Sequence, residues 1–325
     1  MVRWGILSTA KINRRVIPAI RASTRCELVA VASRYKGKAS SYAQQWEIPQ
    51  AFSSYEALLE SDLIDAVYIS LPNHLHAGWT VKALQAGKHV LCEKPLALTV
   101  EEVDRMIAAS EGLGFVLAEA FMYRHHPQTK ILGEWIKSGR LGKVELVRGV
   151  FNFSIRDRNN IRLDPKMGGG SLWDVGVYPM SLAQYVMGGP PEWVVGDQCL
   201  GDTGVDETFA GQLHYSEGCI AQITSSLRSP FHTHVEIIGT EGIITLNRPF
   251  LGLEEGKLIF QPVEGEPETA LIPDKDLYLG EIEDMNAAIL DGMPTLLSLS
   301  ESRDHIRTIV ALYESAQRHE IVHLS

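Results

Sequence analysis

The side chains best suited to moving a proton at an alcohol or carbonyl oxygen stand in two places. Lys94 follows a short apolar run in Cys92-Glu93-Lys94-Pro95, where a strand end presents its ammonium and the proline stiffens the turn and can take the cis form. On its own this is most simply an exposed lysine. Far downstream, Gly168-Gly169-Gly170-Ser171-Leu172-Trp173-Asp174-Val175-Gly176-Val177-Tyr178-Pro179 is a glycine-rich entry to a helix carrying Asp174 and Tyr178. Their spacing of four puts both on one helical face. Oxidising an alcohol removes the hydroxyl proton as hydride leaves, and reduction returns it, so a titratable group must touch that oxygen. Tyr178 can serve: a phenol ionises well above neutral pH, a neighbouring ammonium favours the phenolate, and Asp174 can orient the lysine or a substrate hydroxyl.

A hydride needs a carrier, and four turns have the character of a dinucleotide site. Ser8-Thr9-Ala10-Lys11-Ile12 stands where a phosphate loop feeds a helix N-terminus. Ser8 and Ala10 occupy the places of the first two glycines of the usual fingerprint, and side chains there are expected to disfavour positive φ. The turn Ser33-Arg34-Tyr35-Lys36-Gly37-Lys38 lacks the acidic residue that would bind a ribose 2′-hydroxyl. Ser33, Arg34 and Lys38 suit a 2′-phosphate instead, which favours NADP while leaving NAD open. Leu71-Pro72-Asn73-His74-Leu75-His76 offers Asn73 and His76 to a nicotinamide ribose, and Glu93 and Lys94 complete the set. The pairs His74 and His76, His125 and His126, and His232 and His234 lack an evident third ligand, so no metal is expected.

The elements that would hold these turns can be read from periodicity. Val2–Leu7, 28–32, Ala66–Ile69, 89–92 and 115–118 read as strands, separated by amphipathic helical patterns at 12–21, 37–46, 77–86 and 100–112. That alternation predicts a doubly wound parallel sheet, with turns at the strands' carboxyl ends forming the ligand crevice. Ser53-x-x-Glu56 and Thr99-x-x-Glu102 are capping boxes. Beyond Met122 a helix at 127–138 leads into strands at 144–153, 193–198, 208–215, 220–227, 234–238 and 243–246, with hairpin turns at Ser216-Glu217-Gly218 and Thr240-Glu241-Gly242. A helix at 172–187 lies among them and another ends the chain at 301–318. The fold class is therefore α/β, divided as a Rossmann domain over 1–121 and an α+β domain on a largely antiparallel open sheet over 122–325.

With 325 residues, 45% hydrophobic and 22% charged, the chain has enough apolar surface for two cores. Thirty Lys and Arg against 40 Asp and Glu leave a formal charge of −10, which argues against nucleic acid and anionic membrane as partners. The apolar runs are strand-sized and no signal region opens the sequence, so a cytoplasmic location is expected. Cys26, Cys92, Cys199 and Cys219 form no Cys-x-x-Cys pair and read as reduced thiols.

Through Glu93-Lys94-Pro95, Leu71-Pro72-Asn73 with His76, and Gly168 to Tyr178, the sequence resembles the Gfo/Idh/MocA oxidoreductase family over almost its whole length. Within it, Trp4-Gly5-Ile6-Leu7-Ser8-Thr9-Ala10 and Tyr178 resemble the branch of dihydrodiol and NADP-dependent xylose dehydrogenases. The resemblance implies Lys94 and Tyr178 as catalytic groups with Asp174 as partner. It also implies association into a homodimer or homotetramer through the open sheet. It draws attention to Arg124, His125 and Arg162, together with Asp174 and Tyr178, as substrate contacts for a sugar, polyol or diol. The same fold in a non-catalytic sugar sensor, or in an NAD-dependent glycoside hydrolase, is the alternative.

Overall fold

The structure is a computed structural model of the chain that describes residues 1–35, 37–251, 257–273 and 275–324; Lys36 of the basic turn lies outside them. The chain forms two compact units, Met1–His125 with Asp276–Arg303, and His126–Lys275 with Asp304–Ser325.

The first unit alternates β1 (Val2–Leu7), α1 (Asn13–Ala22), β2 (Cys26–Ala32), α2 (Lys38–Gln45), β3 (Gln50–Phe52), α3 (Tyr55–Leu59), β4 (Ala66–Ile69), α4 (His76–Gln85), β5 (His89–Glu93), α5 (Val100–Leu113) and β6 (Leu117–Ala120). All strand pairs are parallel, in the order β3-β2-β1-β4-β5-β6. The winding reverses between β1 and β4, so the crevice opens over the ends of those strands. Buried β-branched and aliphatic residues on both faces make such a sheet stable only between helices. Thr99 caps α5 through the Glu102 amide, as its box predicts. At α3 the cap is one residue later than expected: the helix starts at Tyr55, so Ser54 and not Ser53 accepts from the Ala57 amide.

In the second unit, α6 (Pro127–Lys137) precedes β7 (Val144–Ser154), and α7 (Val177–Met187) precedes β8 (Trp193–Leu200), β9 (Asp206–His214), β10 (Ile220–Ser226), β11 (Arg228–Gly239), β12 (Gly242–Asn247), β13 (Lys257–Pro262) and β14 (Glu268–Thr269). After α8 (Leu279–Asp291) and α9 (Leu299–Arg318), β15 (Val322–His323) joins the same sheet. Among the described residues its order is β14-β13-β12-β11-β7-β10-β9-β8-β15, antiparallel except for β7 beside β10. Both predicted hairpins form, β9 with β10 and β11 with β12. Val147, Gly149 and Phe151 are buried on one face of β7, where the missing Cβ of Gly149 lets Pro179 of α7 approach. Val195, Ala210, Gln212, Gln222, Thr224 and Ile243 are exposed on their strands.

The division at residue 121 leaves one segment out of place. Helix α8 returns to the first unit, where Ile282 and Met285 join a core with Trp4, Ile6, Tyr68 and Leu91. Trp4 donates its indole N–H to Asn286, and Asn286 donates to Ser23. Apolar burial decided this placement, since neither side of α8 could have been matched to a sheet from its sequence alone. Among the described residues no helix is long and apolar enough to cross a membrane.

Candidate active site

The first unit gathers the four predicted turns at the carboxyl ends of its strands. After β1, Ser8 adopts φ 118°, contrary to the expectation that a side chain there avoids positive φ. Its hydroxyl lies 2.9 Å from both the carbonyl and the hydroxyl of Ser70 after β4, and it accepts from the Ala10 amide at 3.2 Å. Asn13, at the start of α1, donates to the Ser8 carbonyl and accepts from the Ser70 hydroxyl at 2.7 Å. The bonds offset a conformation that costs about 1–3 kcal/mol in a non-glycine residue. Asn13 and Ser70 are residues that pattern reading missed; polar side chains this close to both crevice strands were the available sign. Thr9, Ala10 and Ile12 are partly exposed and Lys11 is exposed along the helix mouth.

After β2, Ser33 is buried and accepts from the Tyr35 amide. The Arg34 guanidinium and the Lys38 ammonium lie 5.3 and 5.5 Å from the centre of the exposed Tyr35 ring. Two cations and an aromatic face therefore lie together at this strand end, with no acidic side chain in the turn. After β4, Asn73 opens a short 3-10 turn at Asn73–Leu75 and is partly exposed. His76, read from the sequence as a cofactor contact, is fully buried. Its ring nitrogens lie 2.8 Å from the carbonyls of Leu71 and Pro95, so it ties the turn after β4 to the turn after β5. Burial lowers the ring's affinity for a proton, and the two carbonyls oppose that.

After β5 the Lys94–Pro95 peptide is cis. Glu93 accepts from the Tyr68 hydroxyl. Burial raises the Glu93 carboxyl above its usual range, against the Tyr68 bond and the Lys94 charge. Glu119 on β6, paired with Cys92, accepts from the Leu96 amide at 2.9 Å and so holds the backbone following Lys94. Arg124 and His125 follow in a 3-10 turn at Met122–His125. The Arg124 guanidinium is buried and paired with Glu301 at 3.2 Å, so its charge already has a partner within this unit.

In the second unit Asp174 does not sit in a regular α-helix. Leu172–Gly176 is a π-type turn that passes directly into α7, where Tyr178 lies in the first turn. Gly176 makes room for the Ser225 hydroxyl and Leu172, contacts that a Cβ would meet at 2.9 and 2.8 Å. Asp174 Oδ2 accepts from Arg162 Nε at 2.6 Å, and the carboxylate is mostly covered. The Arg162 carbonyl in turn accepts from the Gly170 amide, so the loop carrying the guanidinium is held by the glycine run. Tyr178 is buried, with its ring 5.4 Å from those of Phe151 and Phe250. The arrangement supplies a phenol, a carboxylate and a guanidinium within one short stretch of helix and loop. Among the described residues no group of three or more His, Cys, Asp or Glu could hold a metal ion.

Comparison with known proteins agrees with this architecture. Residues 2–121 match the oxidoreductase family with an NAD-binding Rossmann fold, Gfo/Idh/MocA, and residues 130–245 match the C-terminal domain of that family. The chain is 39% identical to D-xylose 1-dehydrogenase (NADP(+)) 2 of Haloferax volcanii over 324 residues, 99% of each chain. It is 35% identical to trans-1,2-dihydrobenzene-1,2-diol dehydrogenase of Danio rerio over 248 residues, 75% of this chain and 73% of that one. The crystal structure of a 3-ketoreductase from Actinomadura kijaniata in complex with NADP and TDP-benzene superposes with a TM-score of 0.91 at 30% identity, covering 97% of both chains. The small, polar turns at the crevice and the basic turn after β2 fit the dinucleotide that this fold binds. The chain belongs to the Gfo/Idh/MocA family and is an NAD(P)-dependent oxidoreductase.

Proposed function

We propose that this enzyme transfers hydride between NADP(H) and a CH–OH or C=O carbon of a sugar, cyclic polyol or vicinal diol. The observation that carries the reading is that one chain joins a Rossmann unit whose β5 runs into Glu93-Lys94-Pro95 to a second unit whose helix presents Asp174 and Tyr178. The nicotinamide, when bound, accepts or supplies the hydride. Lys94 donates a hydrogen bond to the reacting oxygen, which polarises a carbonyl or lowers the pKa of an alcohol. In the oxidative direction the hydroxyl proton passes to Tyr178, and in reduction Tyr178 returns it. Asp174, held by Arg162, fixes the geometry of the proton-handling groups, and its charge favours donors such as sugar hydroxyls.

The preference for NADP rests on Arg34 and Lys38, which offer two cations to a 2′-phosphate. Ser8, Thr9, Ala10, Lys11 and Ile12 would hold the pyrophosphate, and Leu71, Pro72, Asn73 and Glu93 the nicotinamide ribose. The relatives named for D-xylose and for a dihydrobenzenediol make neutral hydroxylated compounds the substrate class to test. Arg162 and His125 are assigned to the substrate side, Arg124 only in so far as Glu301 leaves it available. The open sheet face bearing Val195 and Ile243 is the surface for self-association into a dimer or tetramer.

The test is a panel of aldoses, inositols, keto sugars and vicinal diols followed at 340 nm with NADP and NAD, with Lys94→Ala beside the wild type. One or more sugars should turn over with NADP, and Lys94→Ala should lose at least about a hundredfold in kcat/KM, the usual scale for a group acting on the reacting oxygen. Equal turnover by the variant on a good substrate would remove Lys94 from the mechanism.

A further inference from the structure

The glycine run before the Asp174 helix is shaped around a carboxylate from a different strand. Asp206 opens β9 and is 2% exposed. Its Oδ2 accepts from Ser171 Oγ at 2.6 Å and from the Leu172 amide at 2.8 Å, and its Oδ1 accepts from the Tyr313 hydroxyl of α9 at 2.6 Å. Ser171 Oγ also lies 2.9 Å from Ser225 Oγ on β10. The carboxylate thus meets the chain at the residue before the π-type turn and at its first residue. A Cβ on Gly170 would fall 2.2 Å from Asp206 Oδ1 and 2.7 Å from the Tyr313 oxygen. Gly170 also has φ 131°, so both its backbone and its bareness admit the carboxylate.

A π-type turn is wider than an α-turn and persists where its surroundings impose it. Its first amides have no carbonyl of their own helix to serve them, and Asp206 takes one of these. The phase of this turn sets where the Asp174 carboxylate projects relative to Tyr178 one turn on. Asp206 has its own hydrogen bonds to Ser171, Leu172 and Tyr313, so its influence on those two residues runs through the helix. We propose that Asp206 is a positioning residue for the hydride-transfer reaction, clamping the π-type turn so that Asp174 and Tyr178 are held at their working angle. The inference rests on the reading of Tyr178 and Asp174 given above.

Asparagine at this position can keep the clamp: its amide oxygen serves Leu172 and Ser171, and its NH2 can donate to a Tyr313 hydroxyl turned to accept. Asp206→Asn is therefore expected to stay within about threefold of wild-type kcat, while Asp206→Ala loses about tenfold or more, since small displacements of reacting groups are costly. The KM for NADP should be unchanged in both, because the dinucleotide turns belong to the other unit. In Asp206→Ala, hydrogen exchange at the amides of 171–178 should accelerate, and the pH profile of kcat should shift. Should Asp206→Ala fail to fold, Ser171→Ala removes a single bond of the clamp and is expected to lower kcat several-fold with the same change in exchange.

A folded Asp206→Ala or, in its place, Ser171→Ala with wild-type kcat and pH profile would overturn the proposal. So would an Asp206→Asn as slow as Asp206→Ala. Tyr178→Phe in the same assays separates the two layers of the argument. Wild-type kcat in Tyr178→Phe sinks the reading of the helix and the inference with it; a slow Tyr178→Phe beside an unaltered Asp206→Ala sinks the inference alone.

Discussion

Ser8 holds a backbone angle that glycine ordinarily holds in such a loop, and it does so because its hydroxyl bridges β1 to Ser70 beyond β4. The residue type was legible in the sequence, but the compensation was not, because Ser70 comes near Ser8 only once β1 and β4 are paired. The same is true of Asp174. Its spacing from Tyr178 was plain, whereas its partner Arg162 could be found only through the folded glycine run. Arg34 is the clearest case for a single-residue measurement, since NADP carries a 2′-phosphate with which a guanidinium can pair and NAD does not. Arg34→Ala should weaken NADPH binding at least about tenfold more than NADH binding, the scale of one charge-assisted hydrogen bond. Equal losses, measured by quenching of protein fluorescence, would assign the turn a different role.

Among the elements, α8, a helix that the periodicity reading did not pick out, places a carboxylate in the first unit's interior. Glu281 is 2% exposed, and neither of its carboxylate oxygens has a hydrogen-bond partner within the described residues. Burial first, and the Glu93 charge second, push its carboxyl well above the usual range. A carboxyl whose pKa is raised by folding supports the fold fully below its unfolded pKa of about 4.3 and loses that contribution as pH rises through the folded value. Glu281→Gln is neutral at every pH. Its melting temperature should match the wild type near pH 4 and exceed it increasingly toward pH 8, by on the order of 2–4 °C for each kcal/mol of relief. A difference in melting temperature that stays constant with pH would contradict a neutral Glu281. The π-type turn at Leu172–Gly176 is the other element that periodicity could not announce, because four-residue spacing looks the same in the sequence whether the turn is α or π.

At the scale of the molecule, the first unit is discontinuous, made of Met1–His125 and Asp276–Arg303. Trp4 and the neighbouring core on that face of the sheet lean on Ile282 and Met285, and Trp4 also spends its indole N–H on Asn286. A fragment ending at His125 would uncover these side chains, each worth about 1.5–3 kcal/mol when fully buried. Against a whole-domain stability of about 5–15 kcal/mol that loss is decisive. The fragment should melt broadly and without cooperativity in circular dichroism, and fusing residues 276–303 to its end should restore a sharp transition. A cooperative melt of the short fragment would mean that α8 is dispensable to this core.

The amino-acid sequence by itself determined what local rules can express. The alternation of strand and helix, the hairpin turns, the Thr99 cap and the identity of Lys94, Asp174 and Tyr178 all depend on residues close together in the chain. The family follows from the same motifs. Tertiary structure alone decided which distant groups meet. The return of α8, the tie of His76 to the Pro95 carbonyl, the Arg162 partner of Asp174 and the entry of Asp206 into the glycine run join residues of different elements and loops. A hydrogen bond or a buried contact requires proximity in space, and spacing along the chain encodes proximity only within a turn or two of one element. The residues proposed to handle the proton, Lys94 and Asp174 with Tyr178, were therefore legible as types and spacings, while the side chains packed around them were not.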